Sequence, residues 1–380
     1  MKKRLFSSLL TLCMVLALFP ETADATDSPP GAEAMPLEQL FSYNITDNDM
    51  LYYRYLEDGI EIADCDTSVV SVIIPEKING QPVKSVGNDA FRECRRLTSI
   101  SIPNGVTSIG DQAFYQCVNL TNIFIPNSVT SIGVGAFCDC RSLASILIPD
   151  GVTSIGASAF TLCIGLTDVS IPDSVTSIGN GAFSYCSNLT SISIPKSVTF
   201  IGAGAFFRSR LTSVTVPGGV KRIGADTNDD LTSSSGCGPF EHCLELTSAT
   251  LSDGITCIGV DTFRDCSNLA NVTIPKSVTS IERGAFDGCE NLTDIYYGGS
   301  KNDLQSITYL GALPDQWDWT ADILNRVTFH YNSTGPGGQA ALGRTLSRMC
   351  QRHQIRRNTR MSVSKIILSS FILALPEKSV

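Results

Sequence analysis

The chain has 380 residues and a net charge of −9, with 17% charged and 43% hydrophobic residues, 31 Gly and 17 Pro. This composition describes a folded, turn-rich chain and excludes a disordered one. The acidic balance, with no basic footprint on the repetitive part, excludes nucleic-acid binding.

The first element in chain order is an export leader, residues 1–25. Lys2, Lys3 and Arg4 form a basic start, Leu5–Phe19 an apolar run, and Ala23-Asp24-Ala25 a small-residue site, so cleavage is expected after Ala25. The run is shorter than the roughly 20 residues that a membrane span needs. Cys13 follows Leu12, where a lipid-anchor site would carry a small residue. Residues 26–49 read as a polar spacer. Residues 50–68 read as a hairpin that turns at Glu57-Asp58-Gly59 and caps the element that follows.

From Val69 to Asn291 the chain repeats itself. Leucines recur at 97, 120, 143, 166 and 189, then at 211, 246, 269 and 292, so most intervals are 23 residues, one is 22 and one is 35. Val69 opens a stretched first copy. Each copy begins as Leu97, Ile100, Ile102 and Pro103 do, and the alternation of Ile100 and Ile102 is that of a strand with one buried face. Proline ends it, because it cannot donate to a ladder. "VTSIG" buries Val106 and Ile109, and Gly110 is expected where a Cβ would hinder the backbone. A large plug follows on a single helical turn, namely Phe91, Phe114, Phe137, Phe160, Phe183, Phe206, Phe240, Phe263 or Phe286. One coil cannot bury this set alone, whereas stacked coils cover one another. The fold class expected is a β-rich solenoid of ~23-residue coils with a parallel β-sheet and short helical turns, capped at both ends.

These residues carry a resemblance. Leu-x-x-Ile-x-Ile-Pro, Val-Thr-Ser-Ile-Gly and Ala-Phe-x-x-Cys-x-x-Leu resemble the BspA-like leucine-rich repeat family of secreted and surface proteins, over roughly residues 50–332. "NGQPV" at Asn79–Val83 resembles that family's opening repeat, and the segment 292–332 its closing strand and cap. The resemblance implies an extracellular ligand-binding or adhesion role, with no catalytic residues to carry over.

Two segments depart from the repeat. The 35-residue interval contains an acidic insertion at 225–238. Asp226, Asn228 and Asp230 alternate as in a calcium loop, but Leu231 stands where such a loop needs Gly and Cys237 where it needs Glu, so a solvated loop is expected. Residues 333–380 read as a linker and a basic tail, expected to be poorly ordered. Arg344, Arg348, Arg352, Arg356, Arg357, Arg360, Lys365 and Lys378 face Glu377, and "IILSSFILAL" is half a membrane span. The tail reads as an extension without an evolved role or as a membrane-surface or wall-associating segment, so membrane contact stays open.

Fourteen cysteines in an exported chain invite a disulfide framework. The spacing favours something else. Cys94, Cys117, Cys140, Cys163, Cys186, Cys243, Cys266 and Cys289 all stand three residues after the Phe, with Ser209 in the remaining coil. That is a ladder of small buried thiols. A linear ladder does not converge on a metal, and neither metal nor cofactor is expected. A Cys237–Cys257 bridge is a separate possibility. His242 beside Glu241 and Cys243 can be drawn as a dyad, but Cys243 belongs to the ladder, so these residues read as packing, and the chain is not expected to be an enzyme.

The remaining signal is surface. Between its buried residues each opening strand exposes two positions, among them Asn122 and Phe124, Ser145 and Leu147, Asp168 and Ser170, and Ser191 and Ser193. The face is hydroxyl-rich and nearly uncharged, with Phe124 and Leu147 as an apolar anchor. The reading is a secreted or cell-surface monomer that binds an extracellular protein or glycan. A structural spacer of the envelope is the alternative, and a secreted hydrolase a more remote one.

Overall fold

The computed structural model describes residues 40–44, 50–224, 237–310 and 326–336. The expected leader, most of the expected spacer, the loop 225–236 and the tail from 337 lie outside the described residues.

Most coils contribute two short strands, and two parallel ladders result. The first follows the Ile-x-Ile pattern. It runs through Ser71–Ile73, Ser99–Ser101 and Asn122–Phe124, then Ser145–Leu147 and Asp168–Ser170, then Ser213–Val216, Ser248–Leu251, Asn271–Ile274, Asp294–Tyr297 and Thr328–Tyr331. Nine of the ten expected strands are therefore present, in three sheets, with Thr328–Tyr331 added at the end, and the coil that starts at Leu189 contributes none. The second ladder lies in "VTSIG", which the sequence marks only as a buried segment. There Ser108–Ile109, Ser131–Ile132, Ser154–Ile155, Ser177–Ile178 and Phe200–Ile201 pair in register, and Arg222–Ile223, Cys257–Ile258, Ser280–Glu282 and Thr308–Leu310 continue beyond a break.

The hairpin Met50–Leu56 with Gly59–Cys65 joins this second ladder through Gln81–Val86. Phe41–Asn44, inside the segment read as a spacer, adds an antiparallel strand to the hairpin. Phe41 packs on Tyr53 and Tyr55 with ring centroids 5.6 and 5.2 Å apart, which gives that strand its apolar anchor. Near the other end, a five-residue helix, Lys301–Gln305, starts on a capping box of Ser300 and Asp303. No helix among the described residues is long and apolar enough to cross a membrane.

Between the ladders runs the core. The nine phenylalanines are fully buried and stack face to face, from 5.2 Å for Phe91–Phe114 to 5.7 Å for Phe263–Phe286. Each ring is held by turns rather than by helix. Cys117 donates its N–H to Phe114 O within the coil, and Phe114 donates to Ala136 O in the next coil. The residues two before and two after the ring are left-handed, as at Gln112 (φ 52°) and Gln116 (φ 58°), so the chain cannot continue as a helix there. The thiol completes the arrangement. Cys117 Sγ donates to Phe91 O at 3.1 Å, and Cys140, Cys163, Cys186, Cys243, Cys266 and Cys289 repeat this contact one coil on. Every described cysteine is free, Cys237 and Cys257 included. Gly110 is required for space and not for φ, because a Cβ would lie 2.6 Å from Asn88 N and from Gly87 C in the preceding coil.

Candidate functional site

The exposed side of the first ladder holds the surface that the sequence points to. Buried Ile100, Ile123, Ile146 and Val169 alternate with outward residues, so side-chain direction is fixed by the period of two. Asn122, Phe124, Ser145, Leu147, Asp168, Ser170, Ser191 and Ser193 are all exposed. Phe124 keeps 64% of its surface in solvent and Leu147 59%. Sequence reasoning missed Ile73, at 72% the most exposed large apolar residue of this group. It lies in the stretched first copy, whose strand pairs Ile73 with Ser101, while Ser101 pairs with Phe124. With Leu147 at the same repeat position one coil on, three apolar side chains share one row of the otherwise hydroxyl-rich first ladder.

The hydroxyls have two roles. The threonines at the start of each strand are structural. Thr121 Oγ1 donates to Thr98 O, and Thr167, Thr212, Thr247 and Thr293 repeat the contact to the coil before. The serines that alternate with the buried isoleucines stand free of such bonds to backbone, apart from Ser99 against Ser71 at 3.1 Å, and face solvent.

Along this face both ladders part at one place. Residues 191–194 form no strand, and Phe200–Ile201 is not paired with Arg222–Ile223. The stack stays closed at the aromatic core, where Phe206 and Phe240 remain 5.3 Å apart, and at Thr212 N–H to Thr190 O. Elsewhere the seam opens into a cleft of about 710 Å³ between Ile192, Ile194 and Lys196 on one wall and Val214, Gly218 and Asp253 on the other. Ile192 and Ile194 are only half-buried, unlike their fully covered counterparts. The seam coincides with the 22-residue interval. Its connector, Ser209-Arg210-Leu211, is one residue shorter than Cys186-Ser187-Asn188-Leu189.

At the far end Tyr296 stacks on His330 at 4.6 Å, and His330 Nε2 lies 2.7 Å from Asp294 Oδ1. That hydrogen bond holds the Asp294 carboxyl below the usual carboxylate range. A second charged group lies on the turns that carry the phenylalanines. Glu241 is buried, and its Oε2 accepts the Gly238 N–H at 3.0 Å. His242 Nε2 lies 3.8 Å from Glu241 Oε1 and 3.6 Å from Asp265 Oδ2. Burial pushes the neighbouring Asp261 carboxyl up to about 6, with Arg264 opposing. The His242–Cys243 pair does not form a dyad. Cys243 is fully buried with its thiol on Phe206 O, while the His242 ring stands at the surface against Phe207.

Comparison with known proteins follows the repeat. The chain matches the BspA type leucine rich repeat region in six copies, over residues 64–133, 107–234 and 234–311. It is similar to the crystal structure of a leucine rich cell surface protein from Faecalibacterium prausnitzii, with 24% identity and a TM-score of 0.39, covering 76% of this chain and 100% of that one. It is similar also to the leucine rich repeat protein of T. pallidum, with 28% identity and a TM-score of 0.40, covering 69% of this chain and 95% of that one. The pneumococcal vaccine antigen PcpA shares 19% identity with a TM-score of 0.45, over 80% of this chain and 90% of its own. No curated protein matches.

Proposed function

Because the chain belongs to the BspA type leucine-rich repeat family, a family of interaction modules, we propose that it is an exported, non-catalytic binding protein. It recognises an extracellular protein or glycan through the exposed side of its first ladder. One observation carries this reading: Ile73, Phe124 and Leu147 stand in solvent on a single row of the nearly uncharged first ladder. Folding alone favours polar residues there, and the other coils use Ser or Thr except the last, where Tyr296 stands in the row. Exposed apolar side chains on a rigid support serve as anchors, and surrounding hydroxyls supply adaptable hydrogen bonds. The row continues through Ser170 and Ser193 to the seam cleft, so one extended ligand can engage both. The basic start and apolar run of residues 1–19 support export.

The test is a binding screen of the reduced, full-length chain against immobilised matrix proteins and glycans, with Phe124→Ser and Leu147→Ser alongside. The proposal expects saturable binding to at least one member, weakened at least tenfold by either substitution while the thermal midpoint stays unchanged. Binding that survives both substitutions places recognition elsewhere. Absence of binding across the panel favours a spacer role.

A further inference from the structure

On the turns that hold the phenylalanines, the two residues between Phe and Cys form a ridge, repeated coil by coil. Along most of its length the ridge carries unrelated residues, such as Tyr115 and Gln116 or Thr161 and Leu162. At one step it brings together Glu241, His242 and Asp265. His242 and Asp265 occupy the same ridge position on neighbouring coils, 23 residues apart, so the stacking itself brings them face to face.

We infer that these residues form a binding site for a divalent transition metal ion of the zinc class. One ligand atom from each of the three residues lies within 4.8 Å of the others, and His242 Nε2 stands 3.8 Å from Glu241 Oε1 and 3.6 Å from Asp265 Oδ2. The His242 distances, 3.8 and 3.6 Å, are too long for hydrogen bonds, which end near about 3.2 Å. They are close to the edge of a ligand tetrahedron, about 3.3–3.6 Å for metal–ligand bonds of 2.0–2.2 Å. The three groups therefore face a shared point and do not bond to each other.

The surroundings support the same reading. Glu241 is nine-tenths buried, and its Oε2 is fixed by the Gly238 N–H, so Oε1 is oriented as a supported ligand is. The His242 ring is set by its edge contact with Phe207, at 5.4 Å. Arg264 holds Asp265 only loosely, Nε to Oδ2 3.6 Å, and leans at 3.7 Å towards Asp261. An imidazole among the carboxylates selects zinc-class ions over calcium, which takes oxygen ligands.

The experiment is calorimetric titration of Zn²⁺ into the reduced, chelator-stripped full chain, with Ca²⁺ as the control ion and His242→Gln and Asp265→Asn as variants. The wild type should take up one saturable equivalent of Zn²⁺ and none of Ca²⁺. Each variant should bind Zn²⁺ more than about tenfold more weakly, with its metal-free thermal midpoint matching the wild type. All ladder thiols remain in both variants, so uptake that neither substitution changes is adventitious thiol binding and overturns the inference. So does the absence of saturable uptake, or equal affinity for Ca²⁺. A variant that shifts the metal-free midpoint is set aside in favour of the other.

Discussion

At the scale of single residues, each coil divides its positions between those that serve the neighbouring coil and those that serve solvent. Phe137 belongs to the first kind, stacked 5.2 Å from Phe114 and 5.3 Å from Phe160. Phe137→Ala should destabilise by about 3–5 kcal/mol in urea titration, because a cavity remains between two rings. Phe124→Ser should change stability by less than about 0.5 kcal/mol, since that ring is exposed. The ladder thiols are inert by the same logic. Burial pushes Cys186 up to about 12, and the thiolate is the reactive form. Brief alkylation of the native protein, read by peptide mass spectrometry, should label the half-buried Cys138 and Cys237 and spare the eight ladder cysteines. Ladder cysteines recovered as disulfides would contradict this. The paired Asp294 gives a pH signature. Its folded-state value lies below the unfolded one, so the unfolded chain binds more protons as the solution turns acidic. Its contribution is complete above about pH 4, near the unfolded carboxylate value, and is lost as pH falls below that. His330→Gln should therefore cost about 1 kcal/mol at pH 6, and the difference from wild type should shrink towards pH 3 in chemical denaturation.

At the scale of elements, the sequence reveals one kind of feature and hides another. The first strands, the phenylalanine stack and the cysteine ladder were legible, because burial repeats with the coil and writes itself into every copy. The exposed positions Asn122 to Ser193 followed from the same period of two. The second ladder was not legible. Its strands are two or three residues long, too short to show an alternation, and they exist only because a neighbouring coil supplies partners. The left-handed residues beside each ring were hidden too, since Glu93, Gln116 and Leu162 adopt φ of 58–61° without being glycine. Ile73 escaped because its copy is stretched. The Glu241, His242 and Asp265 group escaped because it joins residues one coil apart. The seam has a faint signature, one missing residue before Leu211, whose consequence is a loss of pairing in both ladders. Backbone amides of 191–194 should exchange with deuterium at least tenfold faster than those of 145–147, as unpaired amides do. Equal protection would mean that the seam closes in solution.

At the scale of the whole molecule, repetition explains stability and underlies the proposed function. Each coil is covered by the next, so stability is a sum over neighbours and a core substitution acts locally before it spreads. The same repetition sets outward side chains on a regular lattice, so a ligand meets a rigid row and loses little freedom in ordering it. On the proposed reading, departures from the consensus carry recognition: the three apolar residues on the first ladder, the seam, and the charged step of the ridge. The most direct test of the central claim is a hydrogen-exchange footprint of the chain with a ligand from the binding screen. The account predicts protection in the peptides that contain Ser71–Ile73, Asn122–Phe124 and Ser145–Leu147, extending to 191–194. Protection confined to the second ladder or to the hairpin Met50–Cys65, with the first ladder unchanged, would contradict it.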